Sequence, residues 1–197
     1  MDNLLHNTSS SIQENNRKTN PRYVISGGPG FGKTSIIEEL ERRNYLSIHE
    51  VSRSIIKEQM EHNGDVLPWK NLQAFSEKVF DQRVQQYLHA PANQHCFFDR
   101  SIIDVLAYMT KDKLTIPAHF TETIALHPYN QIVFLTPPWK EIYLNDGERK
   151  EDFDNANEIH RLLEQTYKQL GYVIENIPQL QVNHRVDFIL DTINKNK

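Results

Sequence analysis

The sequence has little of several features that mark other classes of protein. It contains one cysteine, Cys96, so the chain can form no disulfide within itself and no cage of thiolate metal ligands. No apolar run approaches the roughly 18 residues of a membrane-spanning helix. The formal net charge of -4 argues against a surface that neutralises many nucleic-acid phosphates. We therefore expect a cytoplasmic protein with no membrane span and no nucleic-acid partner.

Histidine is frequent, but its spacing predicts no metal centre. None of the nine histidines falls into H-E-x-x-H or a similar cluster, and His49 beside Glu50 is only a dipeptide. We expect the histidines to be structural or exposed to solvent. Cys96 lies within HCFFDR and is expected to be the buried thiol of a strand.

The chain is long enough for one substantial core. Of its 197 residues, 38% are hydrophobic and 24% are charged, which favours a single globular domain. The first 20 residues are rich in Asn, Ser and Thr and have little to bury. The sequence therefore predicts a mobile tail over residues 1–20 and one domain over residues 21–197.

Short apolar segments alternate with amphipathic segments along this domain. Strands are predicted at residues 23–26, 45–50, 95–99, 131–136 and 172–177. Amphipathic helices are predicted between them and after the last one. Because strands joined by crossovers pair in parallel and are buried on both faces, the pattern predicts an α/β fold with a five-stranded parallel sheet.

A glycine-rich segment follows the first predicted strand. Four of the seven glycines lie within residues 27–32, and Gly27, Gly32, Lys33 and Thr34 fit the motif G-x-x-x-x-G-K-[ST]. Glycines let several backbone N–H groups approach a phosphate chain, and the following helix points its positive end at that anion. The motif predicts a nucleoside triphosphate site made of Gly27, Gly28, Pro29, Gly30, Phe31, Gly32, Lys33, Thr34 and Ser35.

Two residues of this loop have predicted chemical roles. Lys33 is expected to contact the β- and γ-phosphates, and the Thr34 hydroxyl to bind Mg²⁺. Ser35 comes one position too late to be the preferred metal ligand. The alternative is a glycine-rich turn with a chance lysine, and the motif itself fits ATP and GTP alike.

Acidic side chains follow the second and third predicted strands. Ligands collect at the carboxyl ends of the strands of an open parallel sheet. Asp99 ends the third strand and is predicted to hold Mg²⁺ directly or through water, with a helix N-cap as the alternative. Glu50 ends the second strand and is predicted to accept a proton from an acceptor hydroxyl, with pairing to the helix dipole as the alternative.

Basic side chains accompany these carboxylates. Arg53 and Arg100 carry planar guanidinium groups suited to phosphates or carboxylates, and Asp104 follows Arg100 by one helical turn. We predict that these three residues contact the substrate. Surface ion pairs are the alternative for the two arginines.

The segment after the fourth predicted strand, TPPWKEIYLNDGERKEDFDNA, is dense in charges of both signs. A cover at about residues 137–155 would place Arg149, or second to it Lys150, over the phosphates and exclude water. A solvated connection is the alternative.

Beyond the glycine loop, several segments carry a resemblance to a known family. They are ISGGPGFGKTSII, HEVSR, FFDRSIIDVLAY, YNQIVFLTPPW with DGERKED, and YKQLGYVIENIP. Together, from Arg22 to the last helix, they resemble the ATPases of the nicotinamide riboside kinase-like (NadR-type) P-loop family, whose domain carries an AAA-type name. FFDRS also resembles the acidic-Arg-Ser signature of deoxynucleoside kinases.

The resemblance implies a kinase-type P-loop fold with three α/β/α layers and the strand order 2-3-1-4-5. It implies that Glu50 matches the base of such relatives, that Asp99 is the Mg²⁺-associated acid and that Arg100 contacts a phosphate or the acceptor. It also implies that Arg149 is the lid arginine and that Ile177 and Pro178 lie near the adenine.

The function expected from all these features is an ATP- and Mg²⁺-dependent phosphotransferase that acts on a small nucleoside-like acceptor. One alternative is a nucleotide-dependent regulatory switch or interaction protein with slow hydrolysis. Another is a nonspecific nucleoside triphosphate hydrolase.

Overall fold

The structure is a computed structural model that describes residues 17–143 and 152–196. The predictions on residues 1–16, on Arg149 and Lys150, and on the middle of the segment 137–155 lie outside the described residues.

Five parallel strands of the described chain form one sheet. The strands are β1 (Arg22–Ser26), β2 (Leu46–Ile48), β3 (Cys96–Asp99), β4 (Ile132–Leu135) and β5 (Val173–Asn176). Their order is β2-β3-β1-β4-β5, and each neighbouring pair is parallel. The predicted α/β fold and strand order are confirmed.

Helices connect the strands and cover both faces of the sheet. They are α1 (Lys33–Arg42), α2 (Ser52–Glu61), α3 (Leu72–His89), α4 (Ile102–Lys111), α5 (Ala118–Leu126), α6 (Phe153–Gln169) and α7 (Val182–Lys195). A 3₁₀ turn covers Lys140–Ile142. The sequence did not predict α5, because only Phe120 and Ile124 of this nine-residue helix are buried and so short a stripe gives a weak periodic signal.

Alternate side chains of the strands enter two separate parts of the core. On one face the sheet packs against α1 and α7, through residues such as Ile25, Phe97 and Phe134. On the other face it packs against α2 to α6, through residues such as Val24, Phe98 and Val133. This alternation is the period of two expected for a strand covered on both faces.

Burial on both faces holds only for the three inner strands. β1, β3 and β4 are almost entirely buried, whereas β2 and β5 are edge strands with partly exposed residues. Val173 of β5, for example, is 48% exposed. The expectation that every strand is buried on both faces is therefore wrong for the edge strands β2 and β5, which have a neighbouring strand on one side only.

Cys96 is buried in β3, as expected for a core thiol. Burial raises the pKa of this thiol to about 11, so it stays protonated at neutral pH. None of the described helices is both long and apolar enough to cross a membrane.

Arg17 lies at the amino-terminal end of the sheet. Its side chain donates to the Leu170 carbonyl oxygen at 2.9 Å and lies over the ring of Tyr172. Its own carbonyl oxygen accepts from the backbone N–H of Gln131, just before β4. Arg17 therefore packs against the domain, although the sequence placed it in the tail.

Candidate functional site

The glycine loop joins β1 to α1 and has a backbone that other residues would strain. Gly27 has a φ of 135°, and a Cβ there would lie 2.2 Å from Oγ1 and 2.7 Å from the carbonyl oxygen of Thr136. Gly32, which precedes α1, has a φ of 76°, and its Cβ would lie 2.7 Å from Nη1 of Arg185. Glycine is required at both positions. The loop so formed leads into the N-terminus of a helix, where anions bind.

Lys33 is folded back into this loop. It is 8% exposed, and its Nζ donates to the carbonyl oxygens of Gly27 at 3.0 Å and Gly28 at 2.8 Å. A buried positive charge thus lies within the bend of the loop. Thr34 and Ser35 are exposed at the start of α1, and Pro29 and Gly30 are half-buried.

Phe31 of the loop is buried in an aromatic cluster. Its ring lies 6.2 Å from that of Tyr143, 5.9 Å from that of Phe153 and 6.0 Å from that of His160. Because the side chain is 1% exposed and occupied by this packing, Phe31 can contribute to an anion site through its backbone.

His160 lies beside the loop on α6. It is 6% exposed, and within the described chain its Nδ1 has no hydrogen-bond partner. Burial lowers the pKa of His160, Glu164 opposes this shift and the charge of Lys33 adds to it, and the net shift is downward, so the ring is neutral at neutral pH. The expectation that this histidine is structural stays a prediction.

Asp99 ends β3 next to the first residues of the loop. It pairs with Ile25 of β1 and is 7% exposed. Its Oδ1 is buried without a hydrogen-bond partner among residues 17–143 and 152–196. An unpartnered buried carboxylate oxygen is a suitable ligand for a divalent cation. The alternative reading, that Asp99 caps a helix, is wrong, because Ser101 is the N-cap of α4.

Mg²⁺ fits the side chains at this edge of the sheet. The Asp99 carboxylate and the exposed Thr34 hydroxyl supply oxygen, the ligand type that Mg²⁺ prefers. The described part of the chain has no cluster of three or more His, Cys, Asp or Glu side chains arranged around a cation.

Asp104 is 1% exposed and lies in a buried hydrogen-bond network. Its carboxylate accepts from the Ser26 hydroxyl, from the Ser101 backbone and hydroxyl, and from the Tyr167 hydroxyl. Nη1 of Arg100 lies 3.5 Å from its Oδ1. Asp104 therefore connects β1, α4 and α6, and its predicted substrate role stays a prediction.

Arg100 follows Asp99 in a backbone conformation that is unusual for a residue with a side chain. Its φ is 67°, its N–H donates to the Ile25 carbonyl oxygen at 3.0 Å, and its guanidinium lies 5.2 Å from the centre of the Tyr108 ring. Strain of this kind is common at functional sites. Arg53, by contrast, is exposed on α2.

Glu50 follows β2. Its Oε1 accepts from the backbone N–H of Ser52 at 2.8 Å, so the contact with the start of a helix that the alternative required is present. Burial raises the pKa of Glu50, but Arg83, Ser52 and Arg100 lower it by more, and the net shift is downward. Glu50 is therefore ionised at neutral pH, as a proton acceptor must be.

Arg83 was missed by the sequence analysis. It is 3% exposed on α3, its Nη1 donates to the Asp99 carbonyl oxygen at 3.1 Å, and its Nη2 lies 3.6 Å from Glu50 Oε1. A signal was present, because Arg83 lies four residues from both Val79 and Tyr87 on the buried stripe of α3. A charge within an apolar stripe is seldom accidental.

The end of β5 lies on the other side of the loop. Ile177 is 1% exposed and packs in the core, and Pro178 beside it is half-buried. Arg185 of α7 donates to the Gly32 carbonyl oxygen at 3.2 Å, and its guanidinium lies 5.5 Å from the centre of the Trp139 ring. Burial lowers the pKa of Arg185. The predicted contact of Ile177 and Pro178 with adenine stays a prediction.

Comparison with known proteins gave one family match, over residues 22–185, to the model of an AAA domain. A comparison with curated proteins found no match.

Solved structures share the fold. A deoxyadenosine kinase from M. mycoides, with the products dCMP and dCDP, superposes with a TM-score of 0.66 at 16% identity, over 89% of this chain and 100% of that chain. The NadR protein in complex with NR superposes with a TM-score of 0.65 at 18% identity, over 91% of this chain and 52% of that chain. This chain therefore spans about half of NadR. The NadR protein with NAD and AMP-PNP gives a TM-score of 0.62 at 17% identity, over 91% of this chain and 51% of that chain.

Proposed function

This chain belongs to the AAA domain family, and from that premise we propose that it is an ATP-dependent kinase. It transfers the γ-phosphoryl group of ATP to a small nucleoside-like acceptor, with Mg²⁺. One observation carries the proposal: the loop with the buried Lys33 and the carboxylates of Glu50 and Asp99 all lie at the carboxyl ends of β1, β2 and β3. The shared fold with a deoxyadenosine kinase and with NadR supports a kinase reaction.

The glycine loop binds the phosphates in this proposal. Backbone N–H groups of residues 27–35 hold the β-phosphate, and Lys33 leaves the carbonyl oxygens of Gly27 and Gly28 to pair with phosphate oxygens. Thr34 and Asp99 hold Mg²⁺, which offsets the negative charge of the phosphates when it is bound. Ile177 and Pro178 border the adenine.

Glu50 accepts the proton of the acceptor in this proposal. The acceptor hydroxyl oxygen forms a bond to the γ-phosphorus, the bond from that phosphorus to the oxygen of the ADP leaving group breaks, and the hydroxyl proton passes to Glu50. Oε1 of Glu50 already accepts from Ser52, so Oε2 is the oxygen that receives the proton.

Two further residues contact the acceptor in this proposal, and a third acts through one of them. Arg100 and Arg53 bind its polar groups, and Asp104 acts by orienting Arg100. Arg149, in the proposed lid over residues 137–155, stabilises the transferring phosphoryl group. We also propose a single domain over residues 21–197 and a cytoplasmic location, for which the buried free thiol of Cys96 is the support.

The experiment that tests the proposal combines the full chain with ATP, Mg²⁺ and a pooled library of nucleosides and related alcohols. Mass spectrometry of the products is expected to find a phosphorylated acceptor. Hydrolysis of ATP without such a product would indicate a hydrolase. Nucleotide-dependent capture of a protein partner, without a product, would indicate a switch.

Glu50→Gln is the sharpest variant for this proposal. We expect phosphoryl transfer to fall by about 10²- to 10⁴-fold, because general base catalysis contributes that much, while nucleotide binding measured by calorimetry stays unchanged. Glu61→Gln is the matched control, because Glu61 ends α2 with a side chain that is 58% exposed. Transfer at the wild-type rate in Glu50→Gln would rule out Glu50 as the base.

A further inference from the structure

Arg83 is a buried arginine to which the proposed reaction assigns no role. We propose that Arg83 is a positioning residue that fixes the carboxylate of Glu50 against the carboxyl end of β3. The inference rests on the proposed function, in which Glu50 is the proton acceptor.

The geometry shows one side chain that spans two strand ends. Arg83 reaches from α3 with one nitrogen 3.1 Å from the Asp99 carbonyl oxygen and the other 3.6 Å from Glu50 Oε1. A planar guanidinium can make both contacts at once, whereas the single ammonium of a lysine cannot match this fork. The contact to Asp99 uses the backbone, so the carboxylate of Asp99 is left for other ligands.

Packing alone does not explain a charge at this position. Arg83 is 3% exposed, and its neighbours on the buried stripe of α3, Val79 and Tyr87, are hydrophobic. An apolar side chain would fill the same space without the cost of desolvating a guanidinium, and a buried ion pair is often no more stabilising than apolar residues of similar volume. Arg83 therefore has a role beyond stability.

Three groups from three elements face Glu50, and two of them are charged. Arg83 faces it from α3, Arg100 faces it from the connection between β3 and α4, and the backbone N–H of Ser52 donates to it from α2. Burial raises the pKa of Glu50, and Arg83 is the foremost of the groups that lower it. Without Arg83 the pKa of Glu50 rises, so the ionised form is lost at a higher pH.

The test measures the titration of Glu50 directly in the full chain. The ¹³C resonance of the Glu50 carboxyl carbon, assigned by its absence in Glu50→Gln, is followed against pH in wild type and in Arg83→Gln. We expect the midpoint to move to higher pH in Arg83→Gln and to move less in Arg83→Lys, which keeps the charge but not the fork. Arg161→Gln, on the exposed side of α6, is the control and is expected to leave the midpoint in place.

An unchanged Glu50 midpoint in folded Arg83→Gln would overturn the inference. If that variant does not fold, Arg83→Met replaces it, because Val79 and Tyr87 offer an apolar environment for methionine. The same criterion then applies to Arg83→Met.

A second readout uses the acceptor found in the library. In Arg83→Gln the acidic limb of the pH profile of kcat/KM is expected to move to higher pH, with about a tenfold loss of kcat/KM below the limb for each pH unit of movement. The KM for ATP is expected to stay unchanged. A moved midpoint in a protein that phosphorylates no acceptor would sink the proposed function and leave the positioning role intact. Phosphoryl transfer to an acceptor, with a Glu50 midpoint that does not move in Arg83→Gln, would support the proposed function and overturn the positioning role of Arg83.

Discussion

The two sides of the candidate site are built in different ways. The phosphate side is one continuous loop, in which Lys33 bonds to carbonyl oxygens of Gly27 and Gly28 a few residues away. The acceptor side joins Glu50, Arg83 and Asp99 from three separate elements through the Arg83 guanidinium, which contacts the Glu50 carboxylate and the Asp99 carbonyl oxygen. The phosphate side therefore depends on backbone shape and one ammonium group, whereas the acceptor side depends on how distant elements are packed.

Among the three variants that test this comparison, the largest effect is expected from removing the ammonium group of the phosphate side. Lys33→Ala is expected to lower turnover by on the order of 10² to 10³, because it removes a positive group that offsets charge in the transition state. Thermal unfolding is expected to stay close to that of wild type, because the main apolar clusters lie elsewhere. Turnover by mass spectrometry and thermal unfolding by circular dichroism check these two expectations.

The control for this variant is Lys57→Ala, which removes a lysine whose side chain is 79% exposed on α2. Undiminished turnover in Lys33→Ala would show that Lys33 has no role at the phosphates. The phosphate side would then not depend on an ammonium group.

The next-largest effect is expected from Gly27→Ala, which tests whether nucleotide binding depends on the backbone shape of the loop. Gly27→Ala places a Cβ 2.2 Å from Oγ1 of Thr136 and forces alanine to a φ of 135°. Strain at such positions costs about 1–3 kcal/mol, so the free energy of unfolding is expected to fall by that amount and nucleotide affinity to fall with it. Urea denaturation and calorimetry measure both quantities.

Gly64→Ala is the matched control. A Cβ at Gly64 meets the end of the Gln59 side chain, which can move away, and Gly64 follows the C-terminal end of α2, whose N-terminal end contacts Glu50. We expect nucleotide affinity to stay unchanged in this control. If Gly27→Ala binds nucleotide as tightly as Gly64→Ala does, the shape of the loop is not what the phosphates require.

The smallest effect on turnover is expected where the two sides are joined. Asp104→Asn removes a charged acceptor from the buried network of Ser26, Ser101 and Tyr167, and is expected to lower the free energy of unfolding by about 1–3 kcal/mol. The KM of the acceptor is expected to rise a few-fold through Arg100. Denaturation and steady-state kinetics separate the two effects.

Asp81→Asn, on the exposed surface of α3, is the control for Asp104→Asn. A loss of turnover as large as that of Lys33→Ala, without a loss of stability, would show that Asp104 contacts the acceptor itself.

The same contrast explains how much of the site the sequence could predict. The phosphate loop is a local feature of the sequence. The spacing within eight residues and the flanking strand and helix are enough to predict that Gly27 to Thr34 form such a loop. Asp99 and Glu50 were predicted to lie at one edge of the sheet because strand ends in a parallel sheet converge, a rule that needs only the strand boundaries. The strand order of the fold came from the family resemblance and is confirmed.

The features that the sequence did not predict depend mainly on contacts between distant elements. No local pattern says that Arg83 of α3 faces Asp99, although its place in an apolar stripe marks it as unusual. The position of Phe31 in the motif predicted a contact with nucleotide, while its side chain packs against Tyr143 and Phe153. The helix α5 escaped prediction because two buried residues are too few to define a period.

The attachment of Arg17 has a practical consequence for experiments on this chain. Leu170 and Gln131, which hold Arg17, precede β5 and β4, whereas the site lies beyond the opposite ends of the strands. A fluorophore or surface tether introduced beside Arg17 would therefore sit a full strand length from the phosphate loop. A tether at this position could attach the molecule to a biosensor chip without obstructing the binding of nucleotides at the loop.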